Sequence, residues 1–252
     1  MRLALWFSLL SFLLSPIVHA DESAAQVLFE AGMKRYEEGD LKEAQKQFEK
    51  AIALDRNLDK AHFQLASVFL ANKKLDLALG ELKRIKTDTS IKEMVPAMEG
   101  DIYLRKKKWR NALVIWDIFP DSNPDLKALK FRGQARAFEG LKKHKEAADA
   151  WTSFLSVQNY PTRDLFERIS VNRIGAKEKD SALKFCGESD LLQKQKSFRL
   201  LCKAHVYHAS FLKTASKEDK KSAAESLNEI LADDGKNPEA NALLEEWKLG
   251  DR

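Results

Sequence analysis

The stretch "CKAHVYH", Cys202 to His208, sets a thiol and two imidazoles at three-residue spacing, the donor types that a zinc ion takes. Cys186 stands sixteen residues upstream. In an oxidising compartment two such thiols tend to join each other; the alternative is a pair of buried free thiols. Nothing else in the chain offers chemistry of this kind. It contains no Gly-rich phosphate loop, no His-Glu-x-x-His, no Gly-x-Ser-x-Gly and no Cys-x-x-Cys. Carboxylates are abundant, but they recur at helical spacing on solvent faces, and no pair stands out as acid and base. The expectation is a chain without a catalytic centre, a metal or a cofactor.

The elements that would position these residues start after a leader. "MRLALWFSLLSFLLSPIVHA" has Arg2 at its start, an apolar run from Leu3 to Leu14, Pro16, and Val18-His19-Ala20 as a small-residue cleavage site. That pattern reads as a secretory signal peptide over residues 1–20, its apolar run too short to span a bilayer. The mature chain would begin at Asp21 and work in the periplasm or outside the cell. Losing Arg2 lowers the 43 basic side chains to 42 against 38 acids, a net +4. So mild an excess in an exported protein argues against a nucleic-acid partner. Six prolines, ten glycines and 32% charged residues favour helices, and no later stretch is apolar enough for a transmembrane helix.

Every good stretch carries a 3.6-residue period. "AAQVLFEAGMKRYEEG" aligns Leu28, Ala31 and Gly32, and "LKEAQKQFEKAIAL" aligns Leu41, Ala44, Phe48, Ala51 and Ile52, with Gly39-Asp40 as the turn between them. The hairpin then recurs. Ala44 leads to Ala78 and Ala112 at steps of 34, and to Ala147 and Ala182 at steps of 35. Twelve residues before each stand Gly32, Ala66, Gly100, Ala135 and Ser170; four residues after stand Phe48, Leu82, Trp116, Trp151 and Cys186. This spacing resembles the tetratricopeptide repeat. The resemblance is clear from residue 25 to residue 161, so residues 21–161 are assigned four units. Residues 162–252 are assigned two degenerate units, the second with about nine extra residues around "LKTASKEDKK", and a terminal helix capped by Asn237 and Pro238. The family's fold implies an all-α, right-handed superhelical solenoid of about six stacked hairpins. Small residues would mark close helix crossings, and stacking is obligatory because one hairpin cannot bury its own apolar face.

In that register Cys202 and His205 occupy packing positions, which favours packing over metal binding for the Cys202–His208 stretch. Cys186 and Cys202 fall on neighbouring helices, so a disulfide there would be worth roughly 3 kcal/mol by loop-closure entropy. The family's first helices line a concave surface, which implies a partner groove formed by Phe29, Met33, Tyr36, Phe63, Leu70, Met94 and Leu104, with Arg132 and Arg136 able to catch an acidic group. The competing reading packs these side chains on neighbouring helices. The turns form a basic series: Lys73 and Lys74, then Lys106, Lys107 and Lys108, then Lys142 and Lys143, against Glu37, Glu38 and Asp40 in the first turn. It is either a run of solvated turns or a ridge that meets an anionic partner or surface.

These features imply an exported interaction protein of a bacterial envelope: a scaffold, adaptor or assembly factor that holds a peptide or protein segment. One alternative is an envelope enzyme or enzyme accessory with its site in residues 162–237. Another is a subunit of a homo-oligomer whose apolar face is the interface.

Overall fold

Small side chains decide where the helices meet. In the computed structural model, which describes residues 24–86, 91–92, 94–158, 160–188, 192 and 195–249, every small position of the sequence pattern is buried. Ala44, Ala66, Ala78, Ala112, Ala135, Ala147, Ser170 and Ala182 are all inaccessible or nearly so. Phe48, Leu82, Trp116, Trp151 and Cys186, four residues after the second-helix alanines, are buried too. A Cβ on Gly32 would come within 2.6 Å of the Phe48 ring, and one on Gly133 within 2.1 Å of the Trp116 indole. The leader expected over residues 1–20 lies outside the described residues.

The described residues form helices and no strands. In order these are α1 (24–37), α2 (Leu41–Leu54), α3 (Asp59–Ala71), α4 (Leu75–Leu82), α5 (Met94–Arg105), α6 (Trp109–Ile118), α7 (Pro124–Gly140), α8 (His144–Gln158), α9 (Arg163–Gly175), α10 (Lys179–Glu188), α11 (Lys196–Thr214), α12 (Lys217–Asp233) and α13 (Pro238–Glu246). Polar side chains start many of them. Asp40, Asn123, Thr162, Ser216 and Asn237 each accept a backbone N–H three residues ahead, and Pro124 and Pro238 occupy the first helical turn.

Contacts divide the chain into two compact units, residues 1–106 and 107–252. In the first unit α2 packs on α3, α3 on α4 and α4 on α5. Its core gathers Phe48, Phe63, Leu65, Val68, Phe69, Leu82 and Ile102, with the Phe29 ring of α1 5.8 Å from Phe48. Two polar ties hold the α2–α3 loop down. His62 bonds Glu81 through Nδ1 at 2.7 Å and the Arg56 carbonyl through Nε2 at 3.2 Å, and the Asp59 carboxylate accepts the Lys86 amide.

In the second unit each helix from α6 to α9 packs on the next, α9 and α10 both pack on α11, and α12 packs on α11 and α13. Arg173, where the repeat usually has an aromatic residue, is paired with Asp149 of α8 and Glu178 beside α10, each at 2.7 Å. Ion pairs thus replace ring packing in the fifth hairpin. Cys186 of α10 and Cys202 of α11 are joined by a disulfide. The extra residues of the sixth hairpin are almost all helical: α11 runs on to Thr214 and α12 begins at Lys217, leaving only Ala215 and Ser216 as the turn.

Because Ala147 is fully buried at the crossing of α7 and α8, Ala147→Leu is expected to destabilise the protein by about 2 kcal/mol through overpacking. Urea unfolding of the purified protein would measure it, and an unchanged midpoint would mean the crossing lies elsewhere.

Candidate partner-binding surfaces

The groove residues expected from the sequence separate into three classes. Phe63 is 6% exposed and Leu104 3% exposed, so both belong to the protein's own packing and present nothing to a partner. For Phe63 the reason is the setting of α3 between α2 and α4, which buries Ala61, His62, Phe63, Leu65, Ala66, Val68 and Phe69, on more than one face of the helix. Phe29, Met33, Tyr36 and Leu70 are partly buried against the same core. Met94 stands free at 54% exposure. Arg132 and Arg136 are exposed on α7, and Arg132 borders a shallow cavity with Leu129, Phe154 and Val157 between α7 and α8.

A better-formed cleft of about 430 Å³ lies in the second unit, among α9, α11 and the end of α13. Val171, His205, His208, Phe211, Leu212 and Trp247 supply its apolar and aromatic walls, with Glu167, Glu246 and Lys248 at its edge. His208 stacks on the Trp247 indole at 3.9 Å, and His205 meets the same indole edge-on at 4.9 Å. Arg163 pairs with Glu246, linking α9 to α13 beside the cleft. Val171 and Leu212 remain exposed, Leu212 at 69%. Large apolar side chains left wet around an aromatic wall are the ordinary composition of a contact site. All three helices would be first helices in the repeat register; Val171 follows Ser170 as Met33 follows Gly32, at a groove position, while His205 of α11 is at a packing position.

These contacts also account for the Cys202–His208 stretch. Cys202 is held in the disulfide, both imidazoles pack on Trp247, and among the described residues no group of three metal-binding side chains comes together. His205 is 3% exposed and its Nε2 has no hydrogen-bond partner. Burial, with the positive charge of Arg163 and His208 added, pushes its imidazole down to about 3. Burial lowers His208 as well, against the carboxylate of Glu246.

The basic turns have a backbone feature that the sequence reading did not assign. Lys73, Lys107, Lys142 and Lys177 all adopt positive φ, from 56° to 65°, at the position held in the first turn by Gly39. At Lys73, Lys142 and Lys177 the following N–H reaches back five residues, as from Lys74 to Phe69 O and from Lys143 to Phe138 O, the left-handed C-cap in which glycine is usual. Three other lysines of the series are engaged. Lys106 pairs with Asp76 at 2.5 Å and Lys143 with Glu146 at 3.7 Å, while Lys74 lies 5.9 Å from the Phe69 ring centroid.

Residues 19–116 match the family described as a tetratricopeptide repeat-like domain. No curated protein matches the sequence. Among solved structures, the chain is similar to MamA (41-end) from Desulfovibrio magneticus RS-1, at 12% identity and a TM-score of 0.57 over 68% of this chain and 95% of that one. It is also similar to pilF of Pseudomonas aeruginosa, at 18% identity and a TM-score of 0.56 over 90% and 99% of the two chains. A third likeness is to PilW, described as a widely conserved type IV pilus biogenesis factor, at 14% identity and 0.54 over 88% and 98%. At these identities the likeness is one of fold.

Two outcomes follow from the burial of these side chains. Phe63→Ala is expected to cost about 3 kcal/mol, measured by urea unfolding, as for other core phenylalanines. His205 sits lower in the folded protein than its unfolded value of 6.5, so between about pH 6.5 and 3 the unfolded chain binds the extra proton. Stability therefore falls as pH drops through that window. His205→Phe should flatten this part of a melting-temperature profile, and an unchanged slope would remove His205 as its source.

Proposed function

We propose that this chain, a tetratricopeptide-repeat protein in fold, is an exported, non-catalytic interaction protein that holds a segment of a larger protein against its first-helix face. The cleft formed by Val171, His208, Leu212 and Trp247 carries the reading. It combines exposed apolar side chains with a fixed aromatic wall, on helices α9, α11 and α13. The aromatic wall is preorganised, since His208 and Trp247 are already stacked before any partner arrives. The cleft edge offers both signs of charge, Glu167 and Lys248, able to fix the direction of an extended segment. An assembly-factor role in a cell envelope fits the leader-like sequence of residues 1–20 and the fold shared with a pilus biogenesis factor.

Photo-crosslinking tests the site. With the reactive group at position 212, living cells should yield one discrete adduct, absent in a Trp247→Ala background that still folds. A group at position 114 on α6, where Val114 is also exposed, should yield none. Equal products at both positions, or an adduct at 212 indifferent to Trp247, would overturn the reading. N-terminal sequencing of the same protein from the periplasmic fraction should begin at Asp21; a chain retaining its first twenty residues in the cytoplasm would remove the export half of the proposal.

A further inference from the structure

In the second unit, lysine occupies a backbone conformation that suits it poorly, three times in a row. Lys107 (φ 56°), Lys142 (φ 58°) and Lys177 (φ 65°) hold the left-handed position of successive turns. There a Cβ crowds the backbone and glycine is relaxed, as at Gly39 in the first turn. A cation near a helix C-terminus is favourable, but neighbouring positions such as Lys108 and Lys143 can already supply that charge. The helix dipole therefore does not require lysine at the strained residue itself.

Packing sets these turns side by side. The Trp109 ring lies against Gly140, so closely that a Cβ there would come within 2.2 Å of it, and the His144 ring lies against Gly175 at 2.7 Å by the same measure. Lys145 also reaches Glu178 at 3.4 Å. The turns at 107, 142 and 177 thus form one edge. On it Lys143, Lys145 and Lys179 are consumed by Glu146, Glu178 and Asp219. Lys107, Lys108, Arg110, Lys142 and Lys177 are exposed and have no ion-pair partner among the described residues. Among the described residues of these turns, Asp180 is the one carboxylate without an ion-pair partner.

We propose that this edge docks on a membrane surface through anionic lipid headgroups. Four of the five free cations are lysines, compact charges on flexible stems; specific carboxylate recognition by a protein usually draws on arginine forks and an aromatic anchor. The Trp109 and His144 rings at the edge are spent on Gly140 and Gly175. Clusters of four to eight basic residues on one surface are the pattern that attracts acidic lipids. The edge and the cleft use different residues, so this attachment stands or falls independently of the partner site.

Flotation of the mature chain with vesicles tests it. The protein should float with phosphatidylglycerol–phosphatidylcholine vesicles at about 0.05 M salt, be released at about 0.5 M, and ignore pure phosphatidylcholine. Lys142→Gly should raise the melting temperature, because the turn relaxes, while weakening vesicle binding about fivefold; the glycine triple at 107, 142 and 177 should weaken it about a hundredfold. Lys142→Arg should bind like the parent. Unaltered binding by the triple variant would overturn the proposal, as would a glycine variant that melts earlier, since the lysines would then be serving the turn. Failure to float, with polyglutamate retained in a manner that depends on these lysines, would assign the edge to an acidic protein instead.

Discussion

The close approach of helix axes at alanine, glycine and serine is the constraint on which everything else depends. A hairpin of two amphipathic helices has apolar surface on both outer faces and must find a neighbour. The neighbour can come near enough to exclude water only where Cβ is small or absent. Ala135 and Ala147 set one such distance, and Gly133 makes room for the Trp116 ring that closes the next gap. The same economy repeats at the turns, where Gly140 and Gly175 accept Trp109 and His144. With the helices locked at this spacing, the faces of α9, α11 and α13 are fixed, and so are the side chains they offer to a partner.

The last hairpins show how the stack tolerates departures from its own rule. Arg173 exchanges ring packing for two ion pairs, which suit only a partly exposed position. Ser170 takes the place of an alanine at the crossing and leaves its hydroxyl buried without a hydrogen-bond partner. The disulfide joins α10 to α11 where the packing residues are least regular, restricting the unfolded chain in the segment with the weakest repeat pattern. Trp247 of the terminal helix then closes the core against both histidines of α11.

The repeat was legible because small residues at fixed spacing leave a mark that survives substitution elsewhere. The crossings at Ala44 to Ala182 follow from it, and it set Cys186 and Cys202 on neighbouring helices; the cap at Asn237 was legible separately, from Asn-Pro ahead of an apolar helical run. Membership of the groove was less legible. Helical spacing tells which residues share a face, but not whether a helix has neighbours on two sides, and Phe63 is buried for that reason. The cleft escaped because Trp247 meets His208 across 39 residues of chain, a contact no local pattern encodes. The strained lysines left a signal that could have been read: Gly39, Lys73, Lys107, Lys142 and Lys177 follow the same steps of 34 and 35 as the alanines. Read as charge alone, they pass for ordinary solvated turns; read in register with a glycine, they mark a left-handed residue.

Amide hydrogen exchange of the mature chain, alone and bound to the protein captured at position 212, tests the central claim most directly. The account predicts added protection confined to α9, α11 and α13, with the second helices α8, α10 and α12 unchanged. Protection centred on those second helices instead, or spread evenly over the whole chain, would contradict a recognition face built from the first helices.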